Sequence, residues 1–364
     1  MKSILFLITG FKRGGAETQI SILSHKLLDL NYKVSLVIIG SYIEYEFDNR
    51  LNIYHINPGK KYFNKFSKLI SLIKIVKKVK PDIAKGFLGS GVNWLILLSW
   101  FNITRKKVKY IACLRTGLNN ASGVAYIKTY IKYRLFGYKL NGITINHKPS
   151  EKLLNNNPFK FEKSQIHYIP NAINLNGVNH EYSHKLVSFI SPGTIQKRKN
   201  QNLLVRGLSK FNNEERERLK FNIIGEVIDE EYYNLISNSI RNNNLNDLIT
   251  ILPKTKSVHD LYLNVDSLIL PSCHEGFPNV LLEAMKYGKV ILISRQAEAN
   301  NVIRDGYNGF LFDAYNANSL KDAILKAIAL SPEQIKRMCA INTKLIKEKY
   351  SIEKVVKQWE QLYN

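Results

Sequence analysis

Cysteine is scarce in this chain of 364 residues, which has three, at positions 113, 273 and 339. They lie far apart and form no Cys-x-x-Cys pair, which argues against a disulfide framework or a zinc site and is typical of a reducing cytoplasm. Long apolar runs are lacking as well. The stretch from Gly86 to Thr104 is uncharged, but residues such as Gly91 and Asn93 interrupt it, so the sequence favours a buried helix over a membrane span.

Acidic residues are scarce in the first half of the chain. Residues 1–180 contain 28 Lys and Arg against 8 Asp and Glu, whereas the remainder contains 25 against 21. Between Lys60 and Lys148 there are 19 basic residues and one acid, Asp82. This asymmetry predicts an anionic partner for the first half: a membrane surface, a nucleic acid or an acidic substrate. The sequence has no RNP, KH or helix-turn-helix signature, so we expect no nucleic acid among the partners.

Short apolar, β-branched runs alternate with segments of helical length along most of the chain. The predicted strands are SILFLIT, KVSLVII, NGITI, LVSFI, KFNIIG, LITIL, DSLILP, KVILIS and GFLF. Such alternation is typical of parallel α/β sheets, and the length exceeds that of one ordinary core, so we predict two Rossmann-like domains. Turn-forming residues interrupt the alternation in 168–185. We expect a first domain at 1–172, a second at 173–345, and a terminal helix in 346–364 that returns toward the first.

The most informative motif is PSCHEGFPNVLLEAMKYGKVILIS, residues 271–294. The predicted strand DSLILP ends where this motif begins, and Pro278 suits the first turn of the helix that follows. Backbone N–H groups at such a helix terminus bind anions, phosphate above all. Glu275 precedes this terminus and can accept hydrogen bonds from sugar hydroxyls, while Glu283, inside the helix, can accept them from a ribose diol. Taken singly, each glutamate fits an ordinary solvated acid, and only the whole motif indicates a binding site.

This motif resembles the E-x7-E motif of retaining GT-B glycosyltransferases, in particular the large fourth family of bacterial surface-glycan enzymes. KRGGAET resembles that family's glycine-rich loop, YIPNAIN its interdomain segment, and DGYNGFLF the strand and turn after the motif. The resemblance implies an α/β GT-B fold whose two Rossmann-like domains face each other across a cleft. It implies that Glu275 contacts the transferred sugar and that Glu283 contacts the nucleotide ribose.

The same resemblance implies the substrates. The donor is expected to be a nucleotide sugar, with UDP as the expected nucleotide, and the acceptor a lipid-linked molecule or a glycan in O-antigen, capsule or similar synthesis. No cofactor and no metal are expected, because in such enzymes cationic side chains and helix dipoles stabilise the leaving diphosphate.

A second motif is FISPGTIQKRKNQNLLV, in which Gly193 lets the backbone approach a ligand and Lys199 can place an ammonium group on a diphosphate. The family pattern is glycine, arginine, a spacer and lysine. Thr194 occupies the arginine position here, so Arg198 or Lys197 is the candidate for the missing charge. The other interpretation is that Lys197, Arg198 and Lys199 form a solvated basic turn.

A second departure from the family is Asn301, where relatives often carry a glutamate, with Glu298 as a candidate substitute. The two departures leave an alternative function open: a catalytically impaired GT-B homologue that acts as a structural or regulatory partner of another transferase.

In the first domain, Gly14 and Gly15 suit either a tight turn or contact with the donor diphosphate. Arg115 suits two roles: it binds an acceptor oxygen or a phosphate, or it is a buried structural residue. His147 and His274 are weaker candidates. The candidate catalytic residues are Glu275, Lys199 and Arg115. The candidate donor-binding residues are Gly14, Gly15, Gly193, Thr194, Arg198, Gly276, Phe277, Pro278, Asn279, Val280 and Glu283.

The segment KKYFNKFSKLISLIKIVKKVK, residues 60–80, has the pattern of a basic amphipathic helix. Its apolar face comprises Phe63, Phe66, Leu69, Ile70 and Ile73. The pattern predicts that the first domain docks peripherally on the cytoplasmic face of an anionic membrane, where it reaches a lipid-linked acceptor. The stretch YIKTYIKYRLFGYK, residues 126–139, would widen the patch. Alternatively, the apolar face packs on the domain's own sheet.

The sequence contains no Asp-x-Asp to hold a divalent ion on a diphosphate, so we predict metal-independent transfer. Turnover measured after dialysis against EDTA should equal that of the untreated protein. Activity that EDTA removes and magnesium or manganese restores would contradict the prediction.

Overall fold

The computed structural model describes residues 1–11, 14–40, 47–56, 65–101, 107–115, 137–155, 165–177, 182–255 and 258–363. The chain forms two compact units. Unit 1 comprises Met1–Asn174 together with Ser351–Asn364, and unit 2 comprises Leu175–Tyr350. The chain therefore passes from unit 1 to unit 2 and returns, and the segment after Tyr350 belongs to unit 1.

Unit 1 is built on a parallel sheet of seven strands in the order β3-β2-β1-β4-β5-β6-β7. The strands are β1 Ser3–Ile8, β2 Lys33–Ile38, β3 Asn52–His55, β4 Ile83–Phe87, β5 Lys109–Leu114, β6 Gly142–Ile145 and β7 Ile166–Tyr168. The described helices are Gly15–Asp29, Lys65–Val79, Leu88–Trp100, Lys148–Asn155 and Ile352–Tyr363. Gly15–Asp29 and Ile352–Tyr363 pack on one face of the sheet, and Lys65–Val79 and Leu88–Trp100 on the other. Helices on both faces explain why β1 and β2 are apolar almost throughout.

Unit 2 repeats this plan with six parallel strands in the order β10-β9-β8-β11-β12-β13. The strands are β8 Ser188–Pro192, β9 Lys220–Ile224, β10 Ile249–Leu252, β11 Ser267–Leu270, β12 Val290–Ser294 and β13 Phe310–Phe312. The described helices are Asn202–Leu208, Asn213–Arg216, Glu230–Asn242, Val258–Leu263, Asn279–Lys286, Ala317–Ile328 and Pro332–Leu345. The predicted class, α/β with two parallel sheets, is confirmed.

The helix Lys65–Val79 divides the apolar residues of the basic segment between the core and the surface. Leu72 and Val76, which lie outside the predicted apolar face, are buried in the core of unit 1, and Ile73 of that face packs against the same core. Phe66 and Ile70 stay exposed, at 69% and 40%. Residues 60–64 and 126–136 of the two basic stretches lie outside the described residues. No helix within the described ranges combines the length and the apolar character needed to cross a membrane.

The last helix, Ile352–Tyr363, contacts a buried lysine of unit 1. Lys85, in β4, is fully buried, and its Nζ lies 3.2 Å from the centroid of the Trp359 ring. The rings of Phe6, Phe87 and Tyr363 lie within 5.5 Å of the same ammonium, and Nζ donates a 2.9 Å hydrogen bond to the Tyr363 hydroxyl. Burial lowers the pKa of Lys85 well below its usual value. Contact with the ring faces offsets part of the desolvation.

Trp359 is therefore expected to anchor the last helix, since it packs in the core of unit 1 and contacts Lys85. Trp359→Ala should lower the free energy of unfolding by about 3–5 kcal/mol, the usual loss for a buried tryptophan. Differential scanning calorimetry should show this as a lower melting temperature. Leu235→Ala, at a side chain that is 48% exposed, is the matched control and should melt like the wild type. Equal melting of Trp359→Ala and the control would contradict the anchoring role.

Candidate functional site

The strand order of unit 2 places a ligand site at one point of its sheet. Chain connections run in opposite directions from β8 and β11, which are neighbours. In such sheets, ligands bind outside the carboxyl ends of the strands at this switch point. The loop after β8 begins at Gly193, and the loop after β11 begins at Pro271. These are the two segments that carry the predicted donor motifs.

The loop after β8 is shaped by two residues with positive φ. Gly193 has φ +148°, a conformation that favours glycine, and a Cβ there would lie 3.4 Å from Lys199 Cε. Asn200 has φ +55°, and its side-chain amide donates to the carbonyls of Pro271 (3.1 Å) and Ala314 (2.8 Å). The short turn Lys197–Lys199 is thereby fixed against the loop that follows β11.

The two loops meet at the carboxylate of Glu275, which is only 7% exposed. Lys199 Nζ donates to its Oε1 at 2.6 Å, and Arg198 Nη1 donates to its Oε2 at 3.2 Å. The Ser272 hydroxyl donates to Oε1 at 2.8 Å. Burial alone would raise the pKa of Glu275, but Lys199 and Arg198 outweigh it and lower the pKa below its usual value. Glu275 is therefore an ionised carboxylate between two cations.

The structure distinguishes the two candidates for the missing family arginine. Arg198 reaches both Glu275 and the carbonyl of His274, the latter at 3.0 Å. The ammonium of Lys197 instead lies 3.5 Å from Glu231, and its side chain is 67% exposed. Thr194 brings no charge, and its hydroxyl accepts a 2.6 Å hydrogen bond from the Gln196 amide. The second positive charge beside Lys199 thus comes from Arg198.

The helix Asn279–Lys286 follows this cluster directly. Pro278 is its N-cap residue, one position before the first helical turn in which the sequence pattern placed it. Because proline has no side-chain acceptor, the cap leaves the first N–H groups without a side-chain bond from that residue. Phe277 is buried and packs against the ring of Tyr350 at 5.5 Å. The loop therefore presents backbone at Gly276, Asn279 and Val280, which are partly exposed.

Asn300 is a residue of this region that sequence reasoning missed. It is buried, and its side-chain amide donates a 2.7 Å hydrogen bond to the carbonyl of Gly276. It thereby fixes the loop between Glu275 and the helix. Its neighbour Asn301 is exposed with φ +56°. Glu298 accepts from the backbone N–H groups of residues 301–303, so its carboxylate stabilises this turn. No local sequence signal distinguishes Asn300, because its partner lies 24 residues away.

The carboxyl group of Glu283 is costly to ionise because it is buried. It lies on the helix Asn279–Lys286, and burial raises its pKa from 4.5 to about 7, while Lys286 opposes the shift. The ring of Tyr262 lies close enough for the Glu283 charge to raise the pKa of its hydroxyl further, after burial as the main cause. A partly buried carboxyl that is costly to ionise is typical of a group that awaits a ligand.

The candidates of the first half lie in unit 1. Gly14 is the N-cap of the helix Gly15–Asp29, which follows β1 at the switch point between β1 and β4. Arg115 Nη1 donates to the Ile169 carbonyl at 3.1 Å, and its guanidinium lies 5.3 Å from the Trp359 ring centroid. Its Nε is buried and has no hydrogen-bond partner in the described part of the chain. His147 is buried, with Nδ1 2.8 Å from the Ser150 hydroxyl.

Comparisons with known proteins find a matching family model, similar sequences and similar folds. Residues 179–344 match the family described as "Glycosyl transferases group 1". The chain is 25% identical over 357 residues to an uncharacterized glycosyltransferase of Methanocaldococcus jannaschii, covering 96% of this chain and 94% of that protein. It is 25% identical over 375 residues to the amylovoran biosynthesis glycosyltransferase AmsD of Erwinia amylovora, with full coverage of both. Anabaena Alr3699/HepE, solved in complex with UDP and glucose, aligns with TM-score 0.80 at 14% identity over 99% of each chain. The structural neighbours have the GT-B fold.

The raised pKa of Glu283 predicts a pH-dependent stability. A carboxyl whose pKa is higher in the folded state destabilises the fold as pH rises above its unfolded value, up to about pH 7 here. Glu283→Gln should therefore raise the melting temperature by roughly 2 °C or more at pH 8, and by less at pH 5. Scanning fluorimetry at both pH values measures this. Glu217→Gln, at an exposed position of the same unit, serves as the control with no such difference. A gain that is equal at both pH values would be inconsistent with the raised pKa.

Proposed function

We propose that the protein transfers a hexosyl unit from a UDP-linked donor to an acceptor in surface-polysaccharide synthesis. The match of residues 179–344 to the group 1 glycosyl transferases and the similarity of the fold to GT-B structures support this proposal. The acceptor is a lipid-linked molecule or a glycan, and the anomeric configuration is retained. The observation that carries this proposal is the cluster of Glu275, Lys199 and Arg198 at the switch point of unit 2. The amylovoran biosynthesis relative supports the class of product.

Lys199 and Arg198 bind the donor diphosphate. Without a donor, the single charge of Glu275 faces two cations, so the cluster keeps a net positive charge. A diphosphate therefore enters a site with a surplus cation, next to the first N–H groups of the helix Asn279–Lys286. Glu275 keeps both ammonium and guanidinium oriented before the donor arrives. The site is thereby preorganised for anionic charge.

Catalysis in this proposal consists of stabilising the leaving group. The bond between the anomeric carbon and the diphosphate oxygen breaks, and the negative charge that develops on that oxygen is stabilised by Lys199 and Arg198. The same oxygen then takes the proton of the acceptor hydroxyl, which attacks from the face that the diphosphate leaves. Glu275 stabilises the sugar as it becomes cationic. No metal ion takes part.

Glu283 binds the ribose of the nucleotide. Its ionised form accepts from both hydroxyls of a diol, and these hydrogen bonds replace the water that burial removed. Donor binding therefore lowers the pKa of Glu283 from about 7. Asn300 supports the same site indirectly, since it holds the carbonyl of Gly276 in the loop that leads to this helix.

An inactive partner of another transferase remains the second candidate, and Thr194 at the family's arginine position is the observation in its favour. Arg198 weighs against it, because its guanidinium supplies a cation beside Glu275.

The excess of basic residues in unit 1 supports peripheral docking at the cytoplasmic face of an anionic membrane.

Lys199 and Lys197 lie in the same short turn, so substituting each in turn tests the assignment of the site. Lys199→Ala should lower kcat by about 10²–10³-fold, the usual loss when one stabilising group is removed from a developing anion. Lys197→Ala should stay within about twofold of the wild type, because Lys197 points to Glu231 and is exposed. Turnover of UDP-sugars, measured as UDP release, and melting shifts with UDP distinguish the two variants.

Glu275→Gln should lower kcat, because it removes the charge that stabilises the cationic sugar, whereas Glu283→Ala should weaken UDP binding. Wild-type kinetics in both variants would contradict the assignment of the site. A chain that binds no nucleotide sugar in a melting-shift screen would favour the inactive-partner function.

A further inference from the structure

Apolar side chains are exposed together at the carboxyl end of the helix Leu88–Trp100. Leu97, Trp100 and Phe101 are 38%, 40% and 43% exposed. Leu97 and Trp100 are three positions apart and share one side of the helix, and Phe101 is the C-cap residue that follows directly. Tyr138, 63% exposed, joins them from the short turn before β6. We refer to these four residues as the aromatic knob.

The aromatic knob has a defined geometry. The rings of Trp100 and Tyr138 meet edge to face, with centroids 5.3 Å apart and planes at 82°. The ammonium of Lys139 lies 5.2 Å from the centroid of the Trp100 ring. Trp and Tyr carry both an apolar ring and a polar group, which suits them to the boundary between water and lipid. Because the side chains of the knob already pack on each other, they lose less conformational entropy when they bind a partner.

Exposed lysines lie at the same edge of the sheet. Lys80 precedes β4, Lys107 precedes β5 and Lys139 precedes β6, so all three stand at the amino ends of neighbouring parallel strands. The helix Leu88–Trp100 starts after β4 and returns to this edge, where the knob lies. The one acid of the surrounding sequence, Asp82, accepts from the backbone N–H of Ser3 at 2.8 Å. Aromatic groups and exposed lysines thus occur at the same edge of the sheet.

We propose that the aromatic knob inserts into the headgroup region of an anionic bilayer while these lysines bind the lipid phosphates. The inference rests on the proposed membrane docking of unit 1 and names the element that enters the lipid. Each lysine near an anionic surface contributes about 1 kcal/mol of attraction, which is sensitive to salt, whereas insertion of apolar side chains is not. The combination of both gives stable peripheral binding.

The helix Lys65–Val79 provides an internal comparison. Its exposed apolar residues, Phe66 and Ile70, lie near its start, which follows the carboxyl end of β3. They are therefore at the opposite edge of the sheet from the aromatic knob. A membrane that contacts the amino edge through the knob does not require Phe66 or Ile70 to enter the lipid.

The test is co-sedimentation with vesicles of phosphatidylcholine, with and without phosphatidylglycerol, at low and high salt. The wild type should bind the anionic vesicles. Trp100→Ala combined with Phe101→Ala should weaken this binding at least about tenfold at high salt, where the electrostatic contribution is screened. Two double variants serve as controls and should bind like the wild type: Phe66→Ala with Ile70→Ala, and Ile228→Ala with Leu235→Ala in unit 2, where both side chains are exposed.

Fluorescence adds a readout that a loss of folding would not imitate. Trp100 should be quenched by lipids brominated near the headgroup, and Trp100→Phe should abolish the quenching but keep most of the binding. The melting shift with UDP should be unchanged in the knob variant, because its substitutions lie in unit 1 outside the donor cluster.

The outcomes separate the two proposals. If the wild type binds no anionic vesicle, membrane docking is wrong and the inference with it. If the wild type binds but the knob variant binds equally, or the Phe66 variant alone loses binding, only the inference fails. If gel filtration shows a dimer that the knob substitutions dissociate, the knob is a protein interface and the inference is overturned.

Discussion

A carboxylate removed from water is stable only beside positive charge, and Glu275 meets this condition through two residues more than 70 positions away in the sequence. Lys199 and Arg198 come from the loop after β8, and Glu275 from the loop after β11. The ion cluster therefore fixes the two loops at the switch point, and with them the start of the helix Asn279–Lys286. The carboxylate of Glu275 thereby orients both cations.

Much of the fold follows from patterns within short windows. The strands of unit 2 and β1, β2 and β6 are apolar runs that the sequence predicts, because both faces of a parallel sheet are covered. β4 escaped prediction, since its sequence IAKGF contains a lysine and a glycine. Lys85 is tolerated there because aromatic rings from β1 and the last helix surround its ammonium. That environment comes from residue 359, beyond the reach of any local pattern.

The residues of the candidate site likewise divide into those that a contiguous motif predicts and those that depend on distant contacts. The motif around Glu275 and Glu283 is contiguous, so the sequence indicates it, and the resemblance supplies the roles. The choice between Arg198 and Lys197 depends on the rotation of one short turn, which the left-handed Asn200 and its two backbone acceptors set. Asn300 was missed for a similar reason, since its importance lies in a carbonyl on another loop. Glu283 shows the opposite case, because the contiguous motif indicates the residue, whereas the burial that raises its pKa to about 7 appears only in the structure.

The return of the last helix makes unit 1 discontinuous in sequence, whereas unit 2 is a single uninterrupted segment. During translation the chain emerges from its amino end, so the residues of Ile352–Tyr363 emerge after all of unit 2. Until then the face of the first sheet that carries Gly15–Asp29 lacks its second helix, and Lys85 lacks Trp359 and Tyr363. Unit 2 has its whole sequence earlier and can fold while unit 1 is incomplete. The amino-terminal sheet therefore reaches its final packing only after the sequence of unit 2 has been synthesised.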